Sequence, residues 1–240
     1  MERLSLKNFD NFPEGNHEIV LNHYDDFKMH KDIIDRIGQL GYTLTPSKLT
    51  YQINIALHGE EKRNVRLFGN DNENFFMYYF PLIFDRSHEL HPEVPEKKIP
   101  LMVFVTLSPE AAAELYNTIN TFVRSMKIHV VISHQGRKME MNTREMRSPF
   151  HILVTTVSNL HHHVTKGMIR FDNCFYLVLV NIGLWKQSID YVNLTDEMIK
   201  CGWDPVNKCS VIATSEKLDD TTKEVYSYFS FRKHYDFNIF

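Results

Sequence analysis

Three successive histidines, His161, His162 and His163, are the first residues of this sequence whose type suggests chemistry, because imidazole is a common metal ligand. Their spacing argues against a shared ion. Neighbours on a helix or turn point about 100° apart, so the three rings diverge. His17, His23, His88 and His91 are scattered and lack the HExxH spacing of a zinc site. No metal is expected. Carboxylates that could form a nuclease-type pair are Asp71, Glu73, Asp190, Asp196, Asp204 and Asp219. Only Asp204 and Asp219 fall near expected strand or helix junctions, and a solvated surface accounts for the set. Nucleophilic catalysis has no local signature, since no GxSxG elbow occurs. Cations at Lys127, Arg137, Lys138, Arg144 and Arg147 could meet nucleic-acid phosphates, although a solvated polar helix would look the same.

These side chains need elements to position them, and the elements are legible. The chain has 240 residues, 43% hydrophobic and 24% charged, with a formal net charge of −3. That suits one large core and announces no general polyanion-binding surface. The three cysteines, Cys174, Cys201 and Cys209, have no paired metal spacing and fit a reducing interior. Residues Met1 to Gly15 carry charges throughout and lack the apolar stretch of a signal peptide. No apolar run approaches the ~18–20 residues of a membrane span. The expectation is a soluble protein of the cytoplasm or nucleus.

From residue 101 onward, apolar runs of strand length alternate with helical spacing. Strands are expected at 101–106, 128–133, 151–155, 175–180, 209–213 and 235–240. Helices are expected at 28–40, 46–57, 109–126 with Ser108 as N-cap, 138–147, a short one from Ser158, 194–201 and 218–231. The proline-bearing stretch from Arg86 to Pro100 reads as an exposed loop. Continuously apolar strands separated by helices predict an α/β fold, a doubly wound and mostly parallel sheet with helices on both faces.

The order of segments from about Tyr24 to Phe240 resembles the first RecA-like domain of DEAD-box RNA helicases, nearest the Vasa type. Gly41-Tyr42-Thr43-Leu44-Thr45-Pro46 is similar to the adenine-reading segment of that family, with Tyr24 as its upstream aromatic. The adenine-reading Gln falls on Leu49. Phe80-Pro81-Leu82-Ile83 resembles the segment after the phosphate loop, which itself falls on residues 68–75. The Lys and Thr of that loop are Asn74 and Phe75, and Asp71 and Glu73 add negative charge where phosphates would sit. Residues 107–111 and 154–160 are similar to the two backbone-gripping motifs. Pro109 and Asn159 replace their arginines, while Thr156 keeps a threonine. The acidic tetrad falls on Val180-Asn181-Ile182-Gly183, so the metal-binding Asp is Val180 and the water-positioning Glu is Asn181. Cys201-Gly202-Trp203 and Ile212-Ala213-Thr214 resemble the two segments that follow.

The resemblance implies a single RecA-like domain over 24–240 behind an N-terminal extension, 1–23, with no cofactor and no ATPase or helicase activity. The degenerate nucleotide site would comprise Leu49, Asn74, Phe75, Val180 and Asn181. Weak RNA contact would fall to Lys127, Arg137, Lys138, Arg144, Arg147 and Thr156. The function it suggests is a protein-interaction adaptor in RNA metabolism, by likeness to Vasa in germline small-RNA (piRNA) silencing of transposons. The partners would be RNA-processing or silencing proteins, the location cytoplasmic germ granules, with the nucleus open. An ATP-independent RNA-binding module and a nuclease built anew on the scaffold remain as alternatives.

Overall fold

The computed structural model describes residues 23–59, 62–69, 72–90, 97–124, 126–188 and 190–239. The N-terminal extension apart from His23, together with His17, Asp71, His91 and Phe240, lies outside these residues, as do the side chains of Glu73, Asn74 and His88. Among the described residues seven strands form one sheet: β1 (Asn64–Gly69), β2 (Met102–Thr106), β3 (Val130–Ser133), β4 (Ile152–Thr156), β5 (Tyr176–Leu179), β6 (Ser210–Ser215) and β7 (His234–Ile239). Their order is β3-β4-β2-β5-β6-β1-β7, and every neighbouring pair is parallel.

Parallel strands need a covering element on each face, and the side-chain alternation supplies two apolar faces. Met102, Phe104, Val154, Val178, Ile212, Val65 and Leu67 point to one cluster. Val103, Val105, Leu153, Leu177, Leu179, Val211 and Ala213 point to the other. The first face is covered by α1 (Lys31–Gln39), α2 (Lys48–His58), α3 (Asn72–Leu90) and α4 (Pro109–Val123). The second is covered by α5 (Met139–Met146), α6 (Val157–Thr165), α7 (Leu194–Lys200) and α8 (Asp220–Ser227). The fold is therefore the doubly wound, RecA-like α/β architecture that the pattern implied.

Local chemistry sets the helix starts. Ser108 caps α4, its hydroxyl accepting from the Ala111 N–H at 3.2 Å, with Pro109 opening the helix. Ser47 caps α2 through the Thr50 N–H at 3.0 Å, and Asp219 caps α8 through the Thr222 N–H at 2.8 Å. The centre of the first face is aromatic. Phe76 stacks on Phe80 at 4.2 Å, and Phe80 meets Phe84, Phe104 and Phe122.

Three expectations change. The loop expected from Arg86 does not start there, because α3 runs on to Leu90. Ser87 helps to explain this, since its hydroxyl donates to the Ile83 carbonyl and stays buried inside the helix. The last helix is shorter than 218–231. It stops at Ser227 so that Phe229 can turn into the core between Trp185 and Trp203. The strand at Asn64–Gly69 was not read from its own pattern, because two of its residues are polar. Asn64 is nevertheless buried and its side-chain oxygen accepts from the Val211 N–H at 2.9 Å. Arg66 is buried against Asp236 of β7, at 2.6 and 2.7 Å, and lies over the Tyr226 ring at 4.8 Å.

Candidate functional site

In a parallel sheet covered on both faces, ligands bind where the carboxyl ends of neighbouring strands send their connections to opposite faces. Such a point lies between β6 and β1. The chain leaves β1 into α3 on the first face and leaves β6 into α8 on the second. β5 is the next strand along and brings Val180 and Asn181 to the same edge.

The end of β5 carries no carboxylate. Val180 is half-buried, its N–H donating to the Val105 carbonyl at 2.8 Å and its carbonyl accepting from the Trp185 indole at 3.1 Å. Asn181 takes a left-handed conformation (φ 52°, ψ 54°), which asparagine tolerates better than most side chains. Its N–H donates to the Thr214 hydroxyl at 3.0 Å. That contact ties the turn after β5 to β6, and a 3-10 turn follows at Ile182–Gln187. The Thr214 hydroxyl is thus occupied within the scaffold.

On the first face, Leu49 of α2 and Phe75 of α3 are buried in the same apolar cluster as Tyr24 and Phe76. Burial raises the Tyr24 phenol above its ordinary value. The Tyr24 main-chain N–H is held by the Leu44 carbonyl at 3.1 Å. Asn74 lies in the first turn of α3. The residues matched to the adenine reader and the phosphate-loop threonine are thereby brought together as core.

The cations divide. Arg137 makes a two-pronged ion pair with Glu145, at 2.6 and 3.0 Å, and also donates to the Ile132 carbonyl. The pair holds the Glu145 carboxyl below its usual range. Lys127, Lys138, Arg144 and Arg147 are exposed. Thr156 is buried, and its hydroxyl donates to the Gln135 side chain at 2.7 Å.

A buried polar group beside these motifs was not read from the sequence. Ser133 and His163 meet at 2.7 Å, and Asn159 donates to the same hydroxyl at 3.0 Å. All three are buried. Burial pushes His163 down to about 4, so it stays neutral. A Ser–His contact suggests a nucleophile and its base, but a sealed pair admits no substrate. Position was the available signal: His163 follows Leu160 by three residues and precedes Met168, on the apolar side of α6. His161 and His162 point elsewhere and are half-exposed, and no group of three His, Cys, Asp or Glu able to hold a metal occurs among the described residues.

The carboxylates do not form the nuclease-type pair. Asp204 precedes β6 and accepts from the Val206 and Asn207 N–H groups; Asp219 follows β6 as the cap of α8. They stand at opposite ends of one strand. Asp190 accepts from the hydroxyls of Ser158 and Ser188, and Asp196 is exposed on α7.

No family model matches this chain. A curated protein of Debaryomyces hansenii, the pre-mRNA-splicing ATP-dependent RNA helicase PRP28, is 22% identical to it over 192 residues. The match takes in 77% of this chain and 31% of that protein's length. This distant likeness and the parallel α/β sheet agree with a RecA-like, helicase-type domain.

Proposed function

We propose that this chain is a helicase-derived RecA-like domain that neither binds nor hydrolyses ATP and serves as a protein-interaction adaptor in RNA metabolism. The observation that carries this reading is the turn after β5. Where a nucleotide-dependent domain needs an acid for magnesium and another for water, this chain has Val180 and Asn181, locked to its own scaffold. Leu49 and Phe75 support it, since both are core side chains in one cluster with Tyr24. The likeness to the Vasa type extends the proposal to germline small-RNA silencing in cytoplasmic granules. An Argonaute-type protein, a Tudor-domain protein or another helicase would then be the partner.

The test is a titration of fluorescent ATP and ADP, with magnesium, into the purified chain. The expected result is no binding up to millimolar nucleotide. Micromolar binding would overturn the reading and make the chain a nucleotide switch. The adaptor half has its own test. A pull-down from native tissue is expected to return RNA-processing or silencing proteins, and their absence would sink it. RNA contact is a lesser part of the proposal, and it would rest on Lys127, Lys138, Arg144 and Arg147.

A further inference from the structure

β7 ends the sheet. It pairs with β1 through all 6 of its residues, and among the described residues no strand lies on its outer side. The Lys233 carbonyl accepts from the Asn64 N–H at 3.0 Å and so faces β1. The Ile239 carbonyl faces β1 as well, since a side chain placed on Gly69 would overlap it. Main-chain groups alternate along a strand, so those of His234, Asp236 and Asn238 point outward.

Open edges are usually blunted by lysine, proline, a bulge or an inward charge. β7 (His-Tyr-Asp-Phe-Asn-Ile) has neither lysine nor proline, and its register with β1 runs unbroken from His234 to Ile239. Its carboxylate, Asp236, is taken by the two-pronged contact with Arg66. The edge is therefore regular, hydrogen-bonding and without an unpaired charge.

We propose that two copies of this chain pair through β7, antiparallel about a twofold axis, so that two sheets become one. The sequence of the strand is complementary to itself in one register. An axis at Phe237 sets Asp236 opposite the partner's Asn238, and each such pair can exchange two main-chain hydrogen bonds. It also sets Tyr235 opposite the partner's Ile239 on the apolar side. An axis at Asp236 would set two carboxylates against each other, which is unfavourable. This inference is independent of the state of the nucleotide site.

The experiment is sedimentation equilibrium of the whole chain over two orders of magnitude in concentration. Native chain is expected to pass from single to doubled mass. Asn238→Pro removes an outward N–H and no bond to β1, so it should weaken dimerisation about tenfold or more. Asn238→Asp should weaken it, by placing like charges across the axis, and Asn238→Lys should strengthen it. A native chain that stays monomeric throughout overturns the proposal, whatever other strand might occupy the edge. Equal dimerisation of the Asp and Lys variants overturns it too, and that comparison holds even if the proline variant fails to fold.

Discussion

At the residue scale, the groups with chemical potential are used up by the scaffold. Asp204 and Asp219 spend their carboxylates on main-chain N–H groups, and Arg137 spends its charge on Glu145. The sequence identified the residue types but not these partners, which lie up to several turns away. The substitutions at Val180 and Asn181 were legible, because each is a change in the side chain itself. On the proposed reading, Val180→Asp with Asn181→Glu leaves nucleotide binding absent, since Leu49, Asn74 and Phe75 still deny the adenine and phosphate contacts. Fluorescent-ATP titration of the double variant checks this.

Two buried histidines give the chain an acid sensitivity. His163 is held at about 4 by burial, and His58 at about 4 by burial and by the nearby Arg86 and Lys62. His58 bonds Asn54 and the Tyr176 hydroxyl, both at 2.8 Å. Between the ordinary histidine value of 6.5 and about 4, the unfolded chain takes up protons that the folded chain refuses. The stability set by these two groups is therefore full above that window and falls as pH drops through it, by ~1.4 kcal/mol per pH unit for each group. Urea denaturation at stepped pH should show this slope, and His163→Asn should remove about half of it.

At the element scale, apolar periodicity located the elements that bury their own residues. β2, β4 and β5 are buried throughout and were read directly. β1 was missed because its burial depends on partners far along the chain. Asn64 and Arg66 look like loop residues until β6 and β7 supply Val211 and Asp236. Gly69 ends β1 at φ 150° with its α-carbon against the Ile239 carbonyl. Gly69→Ala must displace that backbone, and should cost about 2 kcal/mol or more, read as a lower urea midpoint. Ser108→Ala, which removes only the cap of α4, should cost about 1 kcal/mol.

At the scale of the whole molecule, the two apolar clusters are joined by the strands they share. Each of β2, β4, β5 and β6 contributes alternate residues to both. Neither face can open without exposing the other side of the same strands, so a single cooperative transition is expected. Trp185 and Trp203 both belong to the second cluster. Tryptophan fluorescence therefore reports that face, while far-ultraviolet circular dichroism reports helices of both. The two urea curves should coincide, and separate midpoints would mean the faces unfold independently.

The sequence by itself determined the class of fold, because strand-length apolar runs between helices have few other ways to bury both faces. It also determined which side chains are missing at Leu49, Asn74, Phe75, Val180 and Asn181, since identity at a position needs no geometry. Tertiary structure alone decided what the remaining polar groups do. His163 becomes a sealed core residue because α6 presents it to Ser133, and Asp204 and Asp219 are separated because a strand stands between them. β7 becomes an edge because α8 carries the chain across β1 before it returns. Burial and pairing depend on residues up to |i−j| = 170 apart, and no local pattern records such contacts.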